Sequence, residues 1–157
     1  MKNTLIVLLL IITILACTKK TEEEFSYTFK ENAQVTTETF QDSYMKYSSV
    51  VKGNDLVFTY EYITEGEANI ADDELSEVIR FQIDPNVTEF SLSDDELETI
   101  EAVYTKNCFC FFPDDDQKNV PPTGTISGKR ISETAWDITI DAVFYGDEAF
   151  NISNVFR

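Results

Sequence analysis

From Phe25 onward, apolar and polar residues alternate along most of the chain, and the alternation predicts β-strands. Phe25, Tyr27 and Phe29 alternate with Ser26 and Thr28, the period of a strand with one buried face. Further segments run from Val35 to Phe40 and from Tyr44 to Val51. The Gly53–Asn54 pair marks a turn. After it, Leu56, Phe58, Tyr60 and Tyr62 share one face, and Val57, Thr59, Glu61 and Ile63 the other. The runs on either side of this turn predict a hairpin. Ile79, Phe81 and Ile83 alternate with Val78, Arg80 and Gln82 as far as the turn at Asp84-Pro85-Asn86, and Phe90 and Leu92 form a short strand.

The period then changes. Ser93 followed by Glu96 has the form of a capping box, and Asp94 and Asp95 suit the positive end of a helix. Leu97, Ile100 and Tyr104 follow at helical spacing, which predicts one short helix. Residues 108–113, Cys-Phe-Cys-Phe-Phe-Pro, read as an apolar strand ended by proline, and residues 114–124 as an exposed loop. In the segment from Ile131, the side chains of Trp136, Ile138, Ile140, Ala142 and Phe144 face one way. Asp137, Thr139 and Asp141 face the other, and Ile152 to Phe156 make a terminal strand. Eight or so short strands with turns between them predict a mainly β fold, an antiparallel β-sandwich with at most one short helix. Only five glycines are present, which favours a sandwich with ordinary turns over a tightly curved barrel.

The first 17 residues follow another rule. Lys2 precedes an apolar run from Leu5 to Leu15 broken only by Thr13. A bilayer-spanning helix needs about 20 apolar residues, so the run is too short to span and has the form of a secretory signal. It ends in Ile14-Leu15-Ala16-Cys17, which resembles the lipobox of bacterial lipoproteins. The resemblance covers residues 1–17 and departs from the commonest pattern at Ile14 and Leu15. It implies cleavage before Cys17 and acylation of that cysteine. Two or three acyl chains anchor stably, where one binds marginally at about 0.8 kcal/mol per buried methylene. The division expected is a signal peptide at 1–16, a lipidated tether at 17–24 and a single β-sandwich domain at 25–157. Thr18 follows the cysteine, not the Asp that holds some lipoproteins at the inner membrane, and Thr18 to Glu24 resembles the charged tether of surface lipoproteins. An extracytoplasmic place, lipid-anchored at a bacterial outer membrane, is the address implied.

Losing residues 1–16 leaves 11 basic residues against 29 acidic ones, a net charge of −18. Nucleic-acid binding depends on Lys and Arg neutralising phosphates, so no nucleic-acid partner is expected. An anionic membrane surface repels such a domain, which leaves the lipid on Cys17 as the membrane attachment. There is no histidine. That removes the commonest general base and neutral metal ligand, and with them any Ser-His-Asp or Cys-His mechanism within this chain.

Few constellations remain. Cys108 and Cys110 have a spacing that suits a shared soft metal. The simpler reading is a pair of small apolar side chains in a core face, and a local disulfide is the third. On a straight strand their β-carbons lie too far apart for the ~3.8 Å a disulfide needs, which predicts two unbridged thiols. The acidic runs Asp72-Asp73-Glu74, Asp94-Asp95-Glu96 and Asp114-Asp115-Asp116 carry the oxygens calcium prefers, the last being the calcium candidate. None matches a spaced calcium loop, and solvated charge is the simpler reading. Trp136 and Tyr60 are candidates for a sugar-stacking platform, although strand faces of this kind usually pack in a core. Paired carboxylates for glycoside hydrolysis carry no signal without a cleft. The expectation is a membrane-anchored lipoprotein with a non-catalytic binding or envelope-associated domain, without catalytic residues or cofactor, taking a protein or glycan ligand. The alternative is a small carboxylate-dependent hydrolase acting on an extracytoplasmic substrate.

Overall fold

The structure, a computed structural model, describes residues 22–39, 46–66, 74–109 and 120–157. Among them run nine strands: β1 (Glu23–Thr39), β2 (Lys46–Lys52), β3 (Asp55–Thr64), β4 (Leu75–Ile83), β5 (Glu89–Ser93), β6 (Val103–Asn107), β7 (Thr123–Ser132), β8 (Ala135–Phe144) and β9 (Glu148–Phe156). A single α-helix of one turn or so, α1 (Asp95–Thr99), lies between β5 and β6. Two antiparallel sheets face each other, ordered β2-β1-β3-β4-β6 and β5-β7-β8-β9. The expected β-sandwich is formed, with one departure: the five-stranded sheet curls into a half-barrel.

The curl begins in β1. Phe25–Phe29 and Val35 onward, which the alternation separates, belong to one strand of 17 residues. Its register slips between Lys30 and Ala33, and Asn32 takes a positive φ of 54°, the local disruption of a β-bulge. Glu23–Lys30 pairs with β3, whereas Ala33–Thr39 pairs with β2. The hairpin expected across Gly53–Asn54 is therefore not formed: β2 and β3 each pair with a different half of β1. Gly53 sits against the bulge, its N–H donating to the Asn32 carbonyl at 3.1 Å. A β-carbon at this position would lie 2.7 Å from the Ala33 carbonyl oxygen, so only glycine admits the bend.

Past the bend, the far half of the β1–β2 ribbon crosses the back of β4 and β6. A small second core forms there from Ala33, Val35, Val57 and Val103, with Val50 packed against it. Polar bonds close the seam. The Thr105 hydroxyl donates to the Lys46 carbonyl at 2.7 Å, and the Val35 N–H donates to Gln82 Oε1 at 2.6 Å.

The main core lies between the sheets. Leu56, Phe58, Tyr60, Ile79, Phe81 and Ile83 meet Ile126, Trp136, Ile138, Ile140, Ala142 and Phe144, the faces the alternation assigns. Phe58 is central: it stacks on Phe81 at 5.0 Å and meets Trp136 edge-on at 5.3 Å. In β8, burial alternates without a break from Trp136 to Phe144.

Other expectations are corrected. The exposed loop at 114–124 ends earlier, because Thr123 and Gly124 already belong to β7, and Glu133–Thr134 turns β7 into β8. The capping box is half made. Glu96 Oε2 accepts the Ser93 N–H at 3.0 Å, but no side chain caps the helix, whose N-cap is Asp94. Leu97 and Ile100 are buried as expected, while Tyr104 belongs to β6, where strand pairing with β4 overrides the helical spacing.

Candidate functional site

Several candidates from the sequence lie outside the described residues: the signal segment with Cys17, Cys110, Asp114, Asp115 and Asp116, and Asp72 and Asp73. Among the described residues, no group of three or more Asp, Glu, His or Cys is placed to hold a metal ion. The run at 94–96 is not simply solvated. Asp94 and Gly124 clasp each other: the Asp94 N–H donates to the Gly124 carbonyl at 3.0 Å and Asp94 Oδ1 accepts the Gly124 N–H at 2.9 Å. Trp136 and Tyr60 are core residues, 0% and 6% exposed, and neither offers a sugar platform.

The cysteine expectation is overturned at Cys108, which is disulfide-bonded. Unbridged thiols are expected only if residues 108–113 form a straight strand. Strand β6 ends at Asn107, and the chain bends at Cys108 and Phe109. A bend removes the separation that a regular strand imposes. A disulfide sulfur is also no thiolate, so Cys108 is not a soft-metal ligand in this state.

Among the described residues, one cluster of ionisable side chains joins the two sheets. The Tyr104 hydroxyl donates to Glu77 Oε1 at 2.7 Å, and Lys106 Nζ lies 2.6 Å from Glu148 Oε1 and 3.7 Å from Glu77 Oε1. Strands β4 and β6 of one sheet are thus tied to β9 of the other. Burial lifts the Tyr104 phenol far above its ordinary range, and its bond to Glu77 adds to the effect. Burial alone lowers Lys106, but Glu148 and Glu77 outweigh it and the ammonium is held more firmly than usual. Burial also pushes Tyr60 and Tyr145 up to about 12. Every member of the cluster is engaged with another.

Arg80 occupies the curled side of the half-barrel. Its Nη1 donates to both the carbonyl and the hydroxyl of Ser48, each at 2.8 Å. Burial lowers its pKa, with Glu61 opposing, and its Nε is buried without a hydrogen-bond partner. The guanidinium therefore pins β2 across the back of β4.

Two grooves lined by described residues open to solvent. One, of about 760 Å³, runs past Glu31, Thr88 and the β7–β8 turn. Its one cation, Arg130, is spent: it pairs with Glu31 at 3.1 Å, bonds the Ser132 and Glu133 carbonyls and stacks on Trp136. The other, of about 320 Å³, lies on the outer face of the four-stranded sheet. Thr123, Gly124 and Thr125 from β7, Asp141 and Val143 from β8, and Ala149 and Asn151 from β9 line it. Thr125, Asp141 and Asn151 stand in one cross-strand row. Beside it a row of hydroxyls, Ser91, Ser127, Thr139 and Ser153, crosses all four strands. Asn151 Nδ2 donates to Asp141 Oδ1 at 3.4 Å. Gly124, at φ 105°, makes the floor, where a β-carbon would lie 2.3 Å from the Asp141 carbonyl oxygen.

Comparison with known proteins finds no matching family model, no similar curated protein and no similar solved structure. Sequence reasoning missed this groove. Asp141 reads as one solvent-facing residue among many, and the loop expected at 114–124 takes in Thr123 and Gly124, the start of the β7 strand that lies beside it. The Asn151–Asp141 pairing depends on the β8–β9 register, and the Tyr145-Gly146-Asp147 turn was the one available signal for that register.

Proposed function

We propose that the chain is a lipid-anchored, extracytoplasmic binding domain without catalytic function, held at a bacterial outer membrane through Cys17. The lipobox-like end of the signal segment supports the address. One observation carries the non-catalytic reading: the ionisable cluster of Glu77, Tyr104, Lys106 and Glu148 is engaged in tying the sheets together and lines neither groove. The carboxylate hydrolase stands second. It requires two carboxylates of different protonation facing one cleft. The smaller groove presents Asp141 alone; the larger has Glu31 and Glu133, but both are exposed and Glu31 is held by Arg130, so no burial sets one carboxyl apart from the other. The working surface in this reading is the outer face of the four-stranded sheet.

The anchor is tested by Cys17→Ser in cells. The variant is expected in the soluble fraction or as uncut precursor. Membrane fractionation and migration identical to the parent chain would refute the lipid anchor.

A further inference from the structure

We infer that the smaller groove is a subsite for an uncharged sugar, taking the vicinal diol of a hexose on Asp141 and Asn151. The inference rests on the binding-domain reading above and names the ligand class of that same surface.

The chemistry of the lining selects the occupant. Asp141 supplies a carboxylate that accepts O–H bonds, and Asn151 beside it supplies both an amide donor and a carbonyl acceptor. Neighbouring sugar hydroxyls can then donate to Asp141 and accept from Asn151, each hydroxyl using both of its capacities. Thr123 and Thr125 add hydroxyls at one edge. The opposite side is apolar: Val143, 39% exposed, and the exposed Ala149 lie next to the polar pair. A pyranose ring presents the matching division, with hydroxyls around its rim and C–H groups on its face.

Other occupants fit less well. No Lys or Arg lines the groove, so an anion meets one carboxylate and no cation. A metal ion has a single carboxylate to hold it, and the apolar wall contributes no ligand. A nucleic acid is repelled on the same charge grounds. At about 320 Å³ the groove is at the small end of ligand sites, the size for one ring of a longer chain. The Ser91–Ser127–Thr139–Ser153 row runs alongside, a path of small hydroxyls for neighbouring sugar units.

The position is also the accessible one. The back of the half-barrel is covered by its own β1–β2 ribbon, whereas the outward residues of β7, β8 and β9 have no second layer over them among the described residues.

The test is ligand-observed NMR on the full lipidated chain in a detergent without sugar headgroups, by saturation transfer to glucose, mannose and galactose in turn. Together these present vicinal diols in both equatorial–equatorial and axial–equatorial arrangements. At least one is expected to receive saturation, strongest at the C–H protons of one ring face. Asp141→Ala and Asn151→Ala should each weaken apparent affinity about tenfold or more, equivalent to ~1.4 kcal/mol, with the melting temperature unchanged. Asp137→Ala, on the same face but outside the groove, should leave the signal intact. Val143→Lys tests the apolar wall separately and should also abolish transfer. No saturation of any of the three hexoses overturns the inference, as does a signal that survives both Asp141→Ala and Asn151→Ala. None of these substitutions touches Cys17, so failure here leaves the Cys17 result standing, and failure of the Cys17 test leaves this one standing.

Discussion

Gly128 marks the tightest point of the core, and replacing it tests how the two sheets are packed. It lies in β7 opposite Ile138, and its φ is not in the left-handed region, so alanine can adopt the backbone there. Space is the obstacle. A β-carbon would stand 2.4 Å from Ile138 Cδ1 and 2.6 and 2.8 Å from two ring carbons of Phe90, against an optimum of about 3.5–4.0 Å between carbons. The Ile138 methyl is the tip of a flexible chain. The Phe90 ring is not free to yield, since Phe81, Trp136 and Phe58 surround it at 6.1, 6.1 and 6.4 Å between centroids. Overpacking of this kind costs about 1–3 kcal/mol, and the reduced freedom of the unfolded alanine chain returns about 0.4–1 kcal/mol. Gly128→Ala is therefore expected to destabilise by about 1–2 kcal/mol. Phe90→Ala alone should cost about 2–3 kcal/mol, below the fully buried range because the ring is only half-buried. With the ring gone, the new methyl fills vacated space. In the Phe90→Ala background, Gly128→Ala should become neutral or slightly stabilising, a coupling of about 1–3 kcal/mol. Urea unfolding of the four chains, read at constant m-value, measures it. Additive costs would show that Phe90 does not set the limit at Gly128.

The other predictions concern the ionisable groups and the disulfide. Tyr104→Phe removes the proton that Glu77 accepts while keeping the ring, and should cost about 1.5–3 kcal/mol, the worth of a hydrogen bond to a charged group; unchanged urea stability would contradict the bond. Tyr60 and Tyr145, pushed up to about 12 by burial, keep their protons in the folded chain after the unfolded chain has lost its own near pH 10. The folded state then binds more protons, so their contribution is complete below pH 10 and is lost as pH rises toward 12, by up to about 1.4 kcal/mol per pH unit for each tyrosine. Lys106, raised on balance by its two glutamates, acts in the same direction, and stability that stays level from pH 10 to 12 would refute the burial argument. For Cys108, alkylation of the unfolded chain without reduction should leave the peptide that carries Cys108 unlabelled, whereas prior reduction should expose its thiol to label. A label on Cys108 without reduction would show the bond to be absent.

The inner faces of the sandwich were legible in the sequence because burial there follows a period of two and competes with nothing else. Leu56–Tyr60, Ile79–Ile83 and Trp136–Phe144 point where alternation says they do. Strand pairing was less legible. The Gly53–Asn54 signal is real, but a bend and a hairpin turn share it, and the choice between them depends on the β1 bulge 20 residues earlier. Strand β7 was obscured for a different reason. Its Thr-Gly-Thr-Ile-Ser-Gly-Lys-Arg composition is rich in turn formers, and glycine stands at 128 because Phe90 needs the room, which no local rule records. The polar groove inherits both difficulties: each lining residue looks like ordinary solvent-facing surface until β7, β8 and β9 are set in register.

The bulge also explains why the two outer faces of the sandwich differ. A long two-stranded ribbon extended straight from the five-stranded sheet would expose Val35 and Val50 along with Val57 and Val103. Bending at Asn32 and Gly53 folds that ribbon back, so the four valines and Ala33 cover one another. Most polar groups trapped by the fold-over bond across the seam: Thr105, Arg80 Nη1 and Gln82 reach Lys46, Ser48 and Val35 of the ribbon, while Arg80 Nε is left without a partner. The four-stranded sheet has no such excess of apolar surface. Apart from Val143, Val155 and Ile131, its outward positions are small or polar, from Ser91 and Ser127 to Thr139, Asp141, Asn151 and Ser153. Water covers such a face at little cost, so nothing in the chain needs to fold over it. Among the described residues, one side of the domain is closed by its own hydrophobicity and the other is left open by the lack of it, which is why the groove at Gly124 faces solvent.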